Sequence, residues 1–138
     1  MGQPALSAEA QAALDGQLWE AASKGDAAGI ERLAAEGASP DAKNQGGFPA
    51  VWVAAARGHA GAVSALVRLG ADLDARDRDG WTALMSAAQF GKVECARALL
   101  AGGADRTLRA TGGASRGYTA LEIAEKYDKA EVAALLRE

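Results

Sequence analysis

The fold is decided by the stretch GWTALMSAAQFGKVECARALLAGGAD, residues 80–105. Thr82 precedes an apolar run, and its hydroxyl can accept a hydrogen bond from a free N–H group of the first helical turn. Apolar residues then recur at i, i+3 and i+4 from Leu84, which is the spacing of one helical face. Gly91 can end that helix in a left-handed conformation that costs other residues more. The stretch therefore predicts a helix, a turn at Gly91 and a second helix over about 93–100.

The same pattern recurs along the chain at an interval of 33 residues. Five columns keep that interval: Gly25, Gly58 and Gly91; Gly37, Gly70 and Gly103; Leu33, Leu66 and Leu99; Ala38, Ala71 and Ala104; and the pairs Ala21–Ala22, Ala54–Ala55 and Ala87–Ala88. A fourth copy follows, because Gly80–Leu84 recurs 37 residues later as Gly117–Leu121. Such self-similarity indicates a repeat architecture, in which units too small to bury their own apolar faces must stack.

We therefore expect an all-α solenoid of four helix–turn–helix units in a single domain. The units are placed at about 14–41, 44–74, 77–106 and 115–138, with 1–13 as an N-terminal extension. The extension is expected either to form a short helix that begins at Ser7 or to fray. The first and last units are expected to act as caps with more polar outer faces.

The repeat resembles the ankyrin repeat. The residues that carry the resemblance are Gly58-His59, Gly91, Gly70-Ala71-Asp72, Gly103-Ala104-Asp105 and, in place of the family's Thr-Pro-Leu-His, Thr82-Ala83-Leu84-Met85. The resemblance covers roughly residue 15 to the C-terminus. It implies L-shaped units with short β-turn fingers, inner helices on a concave face and outer helices on a convex face.

The chain departs from the family at the histidine of that motif. Trp19, Trp52, Met85 and Glu122 stand at the equivalent positions. The hydrogen-bond network of that histidine is therefore absent, and we expect apolar packing to replace it. Trp19 and Trp52 are accordingly predicted to belong to the core between repeats, where a buried indole N–H needs an acceptor.

The resemblance implies a partner-binding surface on the finger tips and on the exposed side of the inner helices. The residues predicted to lie there are Phe48, Arg57, Arg76, Arg78, Trp81, Gln89, Phe90, Arg109, Arg116, Tyr118 and Tyr127. Aromatic and arginine side chains are the types that dominate binding energy at protein interfaces. The alternative for the rings is that they pack on adjacent fingers and only stiffen the stack, and for the arginines that they are solvated loop charges.

The net charge of −3 gives no overall attraction to nucleic acid or to an anionic membrane. The positions of the charges predict a positive concave face, while glutamates of the outer helices predict an acidic back: Glu31, Glu36, Glu94 and Glu131. A partner segment with acidic or phosphorylated residues is therefore expected, held by arginine forks and aromatic contacts.

The residues needed for catalysis or metal binding are scarce. The single histidine, His59, lies in a turn that the repeat already explains, and the single cysteine, Cys95, falls in an apolar helical column. One Cys and one His cannot form a zinc site. The aspartates of segment 72–79 lack the spacing of a calcium loop and are predicted to form turns. We expect no catalytic, cofactor or metal site.

These patterns predict a non-enzymatic adaptor, scaffold or inhibitor that binds another protein and is itself a monomer. The alternative is a regulatory ankyrin fragment of a larger enzyme or channel. A single cysteine fits a reducing compartment, so a cytoplasmic location is expected, with nuclear and bacterial periplasmic locations left open.

Overall fold

The computed structural model describes residues 5–138, and within them the chain forms eight α-helices. Their bounds are α1 Ala8–Lys24, α2 Ala27–Ala35, α3 Ala50–Ala56, α4 Ala60–Arg68, α5 Ala83–Phe90, α6 Val93–Ala101, α7 Ala120–Lys126 and α8 Ala130–Leu136. Consecutive helices form four hairpins, and each hairpin packs on the next through both its inner and its outer helix. The predicted all-α solenoid of four stacked units is confirmed.

Three fingers project between the hairpins: finger A (residues 42–49), finger B (75–82) and finger C (108–119). Fingers A and B each close with a tight turn, in which Asn44 N–H donates to Phe48 O at 3.1 Å and Asp77 N–H donates to Trp81 O at 2.9 Å. In finger C the equivalent bond, from Ala110 N–H to Tyr118 O at 3.0 Å, closes a longer loop. Across residues 5–138 the extended pairing is limited to an isolated antiparallel bridge between Lys43 and Pro49. The fingers are therefore β-turn loops rather than a sheet.

The N-terminal extension differs from the prediction. Ser7 does cap a helix, since its Oγ accepts a hydrogen bond from Ala10 N–H at 3.1 Å. That helix does not stop before the first repeat but continues through Leu14 to Lys24 as the first inner helix. Alanine-rich sequence favours the continuation, because alanine has the highest helix propensity. Residues 1–4 of the extension lie outside the described part of the chain.

The turns between paired helices occupy equivalent places in successive hairpins. Gly25, Gly58 and Gly91 all adopt left-handed conformations, with φ of 77°, 81° and 68°. A Cβ on Gly25 would lie 2.6 Å from His59 Nδ1, so the glycine also makes room for the next unit. Asp128 takes the same position in the last hairpin, with φ 58°. His59 thus lies in the turn between α3 and α4, as its position in the repeat predicted.

The core runs the length of the stack between the two helix layers. Alanines of the inner helices let neighbouring backbones approach closely, and larger side chains of both layers fill the remaining space. Among the largest fully buried side chains are Leu18, Ile30, Leu66, Leu84, Met85, Leu99, Ile123 and Val132.

Aspartate side chains hydrogen-bond the loop after one outer helix to the loop after the next. Asp41 Oδ1 accepts from Asp72 N–H at 2.7 Å, and Asp74 Oδ1 accepts from Asp105 N–H at 2.9 Å. These bonds confirm the structural role predicted for this acidic run. No helix in the described residues combines the length and the apolar character needed to cross a bilayer.

Candidate partner-binding surface

A groove opens on the side of the stack that carries the fingers and encloses about 240 Å³. We call it the aromatic groove; its lining residues are Phe48, Trp52, Asp77, Asp79, Trp81, Gln89, Gly113, Ala114, Ser115 and Tyr127. All three fingers contribute to it, together with α3, α5 and the end of α7. Four residues predicted to bind a partner, far apart in sequence, meet there: Phe48, Trp81, Gln89 and Tyr127.

The rings of Phe48 and Trp52 form one wall of the groove. Their centroids lie 4.6 Å apart with the planes inclined by 44°, a tilted arrangement favoured by aromatic pairs. Both side chains are half-buried, as is Trp81. Trp52 was predicted to belong to the core alone. It packs against the core and also lines the groove, so the sequence-based assignment missed half of its environment.

The two tryptophans of one repeat column differ in their hydrogen bonds. Trp19 Nε1 donates to Phe48 O at 2.8 Å. The indole N–H of Trp52 is buried and has no acceptor within residues 5–138, although Trp81 O stands at the equivalent position. Met85 continues the column as a buried side chain that packs in the core, so apolar packing replaces the family histidine there as expected.

The other predicted aromatics are open to solvent. Phe90, Tyr118 and Tyr127 are 45%, 36% and 38% exposed, which places the aromatic ladder outward rather than inside the stack. Lys126 Nζ lies 5.3 Å from the ring centre of Tyr118 and 5.6 Å from that of Tyr127. Phe90 is exposed at the end of α5 but is not one of the lining residues of the groove.

Two residues predicted to contact a partner, Arg76 and Arg109, direct their guanidinium groups to other parts of the stack. Arg76 Nη1 donates to Gly80 O within finger B and to Arg109 O of finger C, both at 2.8 Å. Arg109 Nη1 donates to Gly117 O at 2.8 Å and to Glu122 Oε1 at 3.1 Å. Lys43 begins the same ladder by donating to Arg76 O at 3.2 Å. These three cationic side chains therefore form hydrogen bonds that stabilise the fingers.

The remaining predicted arginines keep most of their donors free. Arg57 makes one long bond to Ser23 O at 3.5 Å, and Arg78 makes one to Gln45 O at 2.8 Å. Arg116 forms no side-chain hydrogen bond or ion pair with any described residue. All three side chains are exposed, so they can bind an external acceptor.

The charge distribution is less polarised than the sequence predicted. On the outer helices, exposed arginines pair with the glutamates: Arg68 with Glu31 at 2.7 Å and Arg32 with Glu36 at 3.1 Å. The convex back is therefore mixed rather than acidic: helix spacing pairs Arg32 with Glu36, and the stacking of α4 on α2 pairs Arg68 with Glu31. Conversely, the aromatic groove carries the carboxylates of Asp77 and Asp79.

The turn of finger B explains why these two aspartates lie in the groove. Asp77 Oδ1 accepts hydrogen bonds from Asp79 N–H and Trp81 N–H, both at 2.9 Å, a local pattern that aspartate favours in turns. The Asp79 carboxylate lies against Gly112 and Gly113, where an added Cβ would meet its oxygens at 3.3 and 3.5 Å. Finger C therefore closes over the acidic turn of finger B.

Reactive groups are buried or already used in the fold. Cys95 is 1% exposed, and burial raises the pKa of its thiol to about 11. Hydrogen bonds from Thr119 and the nearby Arg109 lower the pKa of Glu122, a carboxylate engaged in a helix cap. Among the described residues, no cluster of three or more His, Cys, Asp or Glu could hold a metal ion.

We expect the native Cys95 thiol to react slowly with a thiol reagent at pH 8. Raising the pKa from 9.0 to about 11 lowers the thiolate fraction by about 100-fold, and the thiolate is the reactive form. The rate is measured with a chromogenic disulfide on folded protein and on protein unfolded in guanidinium chloride. Similar rates in the two states would contradict the burial. Because only the unfolded thiol ionises readily, its titration should also lower stability as pH rises from about 9 toward 11.

The family comparison agrees with this architecture. The model for ankyrin repeats (3 copies) matches residues 18–110, which is more than half of the chain and extends from α1 into finger C. Helices α7 and α8 form a further hairpin beyond the matched residues. A comparison with curated proteins found no match. Ankyrin repeats are in general modules of protein–protein interaction. From its repeat interval, its stacked hairpins and this match, the chain belongs to the ankyrin repeat family.

Proposed function

We propose that this protein is a non-enzymatic adaptor, scaffold or inhibitor that binds a segment of a partner protein across its fingers and inner helices. The observation that carries the proposal is the aromatic groove, in which Phe48, Trp81 and Tyr127 from successive repeats share one solvent-open surface. Aromatic side chains grouped at the centre of a concave surface are typical of residues that dominate binding energy. The rings of Phe48, Trp81 and Tyr127 are only partly buried, so they offer apolar area to a partner.

Exposed arginines of the fingers and of the end of α3 support a more specific partner. Arg57, Arg78 and Arg116 are exposed and retain free guanidinium donors, which suit carboxylates and phosphates. We propose that the bound segment carries acidic or phosphorylated residues that contact these arginines. Its affinity should then fall as ionic strength rises, because exposed charge pairs are screened by salt. We further propose that the protein acts as a monomer in the cytoplasm, in keeping with its free thiol at Cys95.

Trp81→Ala is expected to weaken partner binding by about 2 kcal/mol, or roughly 30-fold, while leaving the stack folded. Trp81 lines the groove and packs against the core without being one of its fully buried residues, so its loss removes mainly contact area in the groove. A partner is first identified as a protein captured by wild type but not by a Trp81→Ala/Phe90→Ala variant. Its dissociation constant is then measured by calorimetry with each single variant.

Arg97→Ala provides the control, because Arg97 is exposed on the outer helix α6 away from the fingers. It should leave the partner's affinity unchanged, and circular dichroism should report the same helical content for both variants. Undiminished affinity of Trp81→Ala for the partner would overturn the proposed surface.

A further inference from the structure

We propose that the aromatic groove receives one arginine side chain of the bound partner segment. This inference rests on the proposed function and specifies the chemistry at the centre of its surface. The guanidinium would stack on the rings of Trp52 and Trp81 and pair with the carboxylates of Asp77 and Asp79. The acidic or phosphorylated residues of the same segment would lie outside the groove, at the exposed arginines of the rim.

The negative charge of the groove has no counter-ion within the described chain. Neither Asp77 nor Asp79 takes part in any of the five ion pairs. Asp77 Oδ1 accepts two backbone N–H groups, while its Oδ2 and both oxygens of Asp79 accept none within residues 5–138. Asp77 is half-buried and Asp79 is exposed, and two unpaired carboxylates beside aromatic rings attract a cation.

The nearest cations of the protein are committed elsewhere. The Arg76 guanidinium donates to two backbone carbonyls, and Arg78 reaches back to Gln45 O of finger A. Lys126 Nζ donates to Ala114 O and Ser115 Oγ of finger C, both at 3.3 Å. None of these side chains lines the groove, and this favours a complementary charge supplied by another molecule.

The rings and the size of the groove favour an arginine side chain over a lysine side chain or a larger ligand. Indole presents the best aromatic face for a cation, and arginine is found over such faces more often than lysine. A planar guanidinium can also donate two parallel hydrogen bonds to a carboxylate, which an ammonium cannot. The volume of about 240 Å³ is below the roughly 300–1,000 Å³ of pockets that hold drug-sized ligands, and it suits a single long side chain.

The tryptophans supply a direct readout. The protein has three tryptophans, of which Trp52 and Trp81 line the groove. Trp19 does not line it, although its N–H donates to the backbone oxygen of Phe48, whose side chain does. The N–H of Trp52 has no acceptor within residues 5–138, and a charge brought against the ring would shift its resonance. We would titrate ¹⁵N-labelled protein with the tripeptide acetyl-Gly-Arg-Gly-amide and follow the three indole resonances.

The arginine peptide should shift the indole resonances of Trp52 and Trp81 saturably. The resonance of Trp19 should shift least. The matched peptide with citrulline, which is isosteric but neutral, should produce no saturable shift. The lysine peptide should bind more weakly than the arginine peptide, since it lacks the planar fork. Equal shifts with the arginine and citrulline peptides would overturn the proposal, and tighter binding of the lysine peptide would overturn the choice of arginine.

Asp79→Asn tests the carboxylate without disturbing the turn, because the Asp79 side chain accepts no hydrogen bond in the described chain. The variant should weaken binding of the arginine peptide about fivefold, the change that corresponds to roughly 1 kcal/mol. Glu94→Gln removes one charge from the outer helix α6 and should bind as wild type. Wild-type affinity in Asp79→Asn would count against the ion pair.

The arginine site and the wider function can fail separately. If Trp81→Ala loses the partner but citrulline in place of its arginine is tolerated, the docking surface stands and the arginine site is wrong. If the arginine peptide binds but Trp81→Ala retains the partner, the groove binds arginine and the proposed function is wrong.

Discussion

Leu66→Ala is expected to lower the free energy of unfolding by about 2–5 kcal/mol, the range observed when a large buried side chain is truncated to alanine. Leu66 is 0% exposed and lies on α4, the outer helix between α2 and α6. Its counterparts Leu33 and Leu99 are also buried, so the three leucines form one column through the outer layer. Truncation would leave a cavity between stacked units, and helices held on both sides cannot collapse to fill it.

Chemical denaturation followed by circular dichroism measures this loss. Leu69→Ala is the matched control, because Leu69 caps the same helix but is only half-buried. It should lose clearly less stability than Leu66→Ala. In Leu66→Ala, the free energy of unfolding could depend less steeply on denaturant concentration than in wild type. That result would show that the repeats on its two sides unfold separately, as stacks with only nearest-neighbour contacts can. Equal losses in the two variants would refute the role assigned to the buried column.

Gly80→Ala is expected to destabilise the protein and to disturb the groove. Gly80 has φ 72°, a conformation that costs alanine about 1–2 kcal/mol. An added Cβ would also meet Thr111 Oγ1 and lie 2.9 Å from Thr111 N. That backbone cannot move freely, since Thr111 N–H and Gly112 N–H both donate to Asp79 O at 3.0 Å. Displacing finger C should add about 1–3 kcal/mol, the usual cost of overpacking.

Gly117→Ala separates the two costs. Gly117 occupies the same place in finger C, with φ 85°, but an added Cβ would find nothing within 4 Å. It should therefore show the conformational cost alone and leave the Trp81 indole resonance in place. Gly80→Ala should lose more stability and shift that resonance, because residues 113–115 form the opposite wall of the groove. If the free energy of unfolding falls by the same amount in both variants, the contact with Thr111 does not contribute to the destabilisation.

Much of the groove's aromatic lining could be predicted from sequence. Phe48 and Trp81 hold equivalent places near the ends of fingers A and B, and Tyr127 ends an inner helix, so their common face follows from the repeat once the family geometry is assumed. The structure brings these side chains together as that reasoning requires. Their contribution to binding remains a prediction that the variants above test.

The roles of the charged residues could not be predicted in the same way. Arg76 and Arg109 lie on fingers, yet their guanidinium groups donate to carbonyls of their own and adjacent fingers. Asp77 and Asp79 were predicted only as turn formers, and they also give the groove its negative charge. Which carbonyl or carboxylate a long side chain reaches depends on distances between elements, and residue spacing along the chain does not contain them.

The sequence by itself determined the stack. Burial of one apolar face per hairpin is a local requirement that every unit meets in the same way, so it repeats in the sequence at 33-residue intervals. Tertiary structure alone decided the groove, because it forms where three repeats meet and where the longer finger C bends back to hydrogen-bond with Asp79 O. The repeat position that Trp19 and Trp52 share shows the difference. The indole of Trp19 donates to Phe48 O, whereas the indole of Trp52 has no acceptor within residues 5–138 and lines the groove.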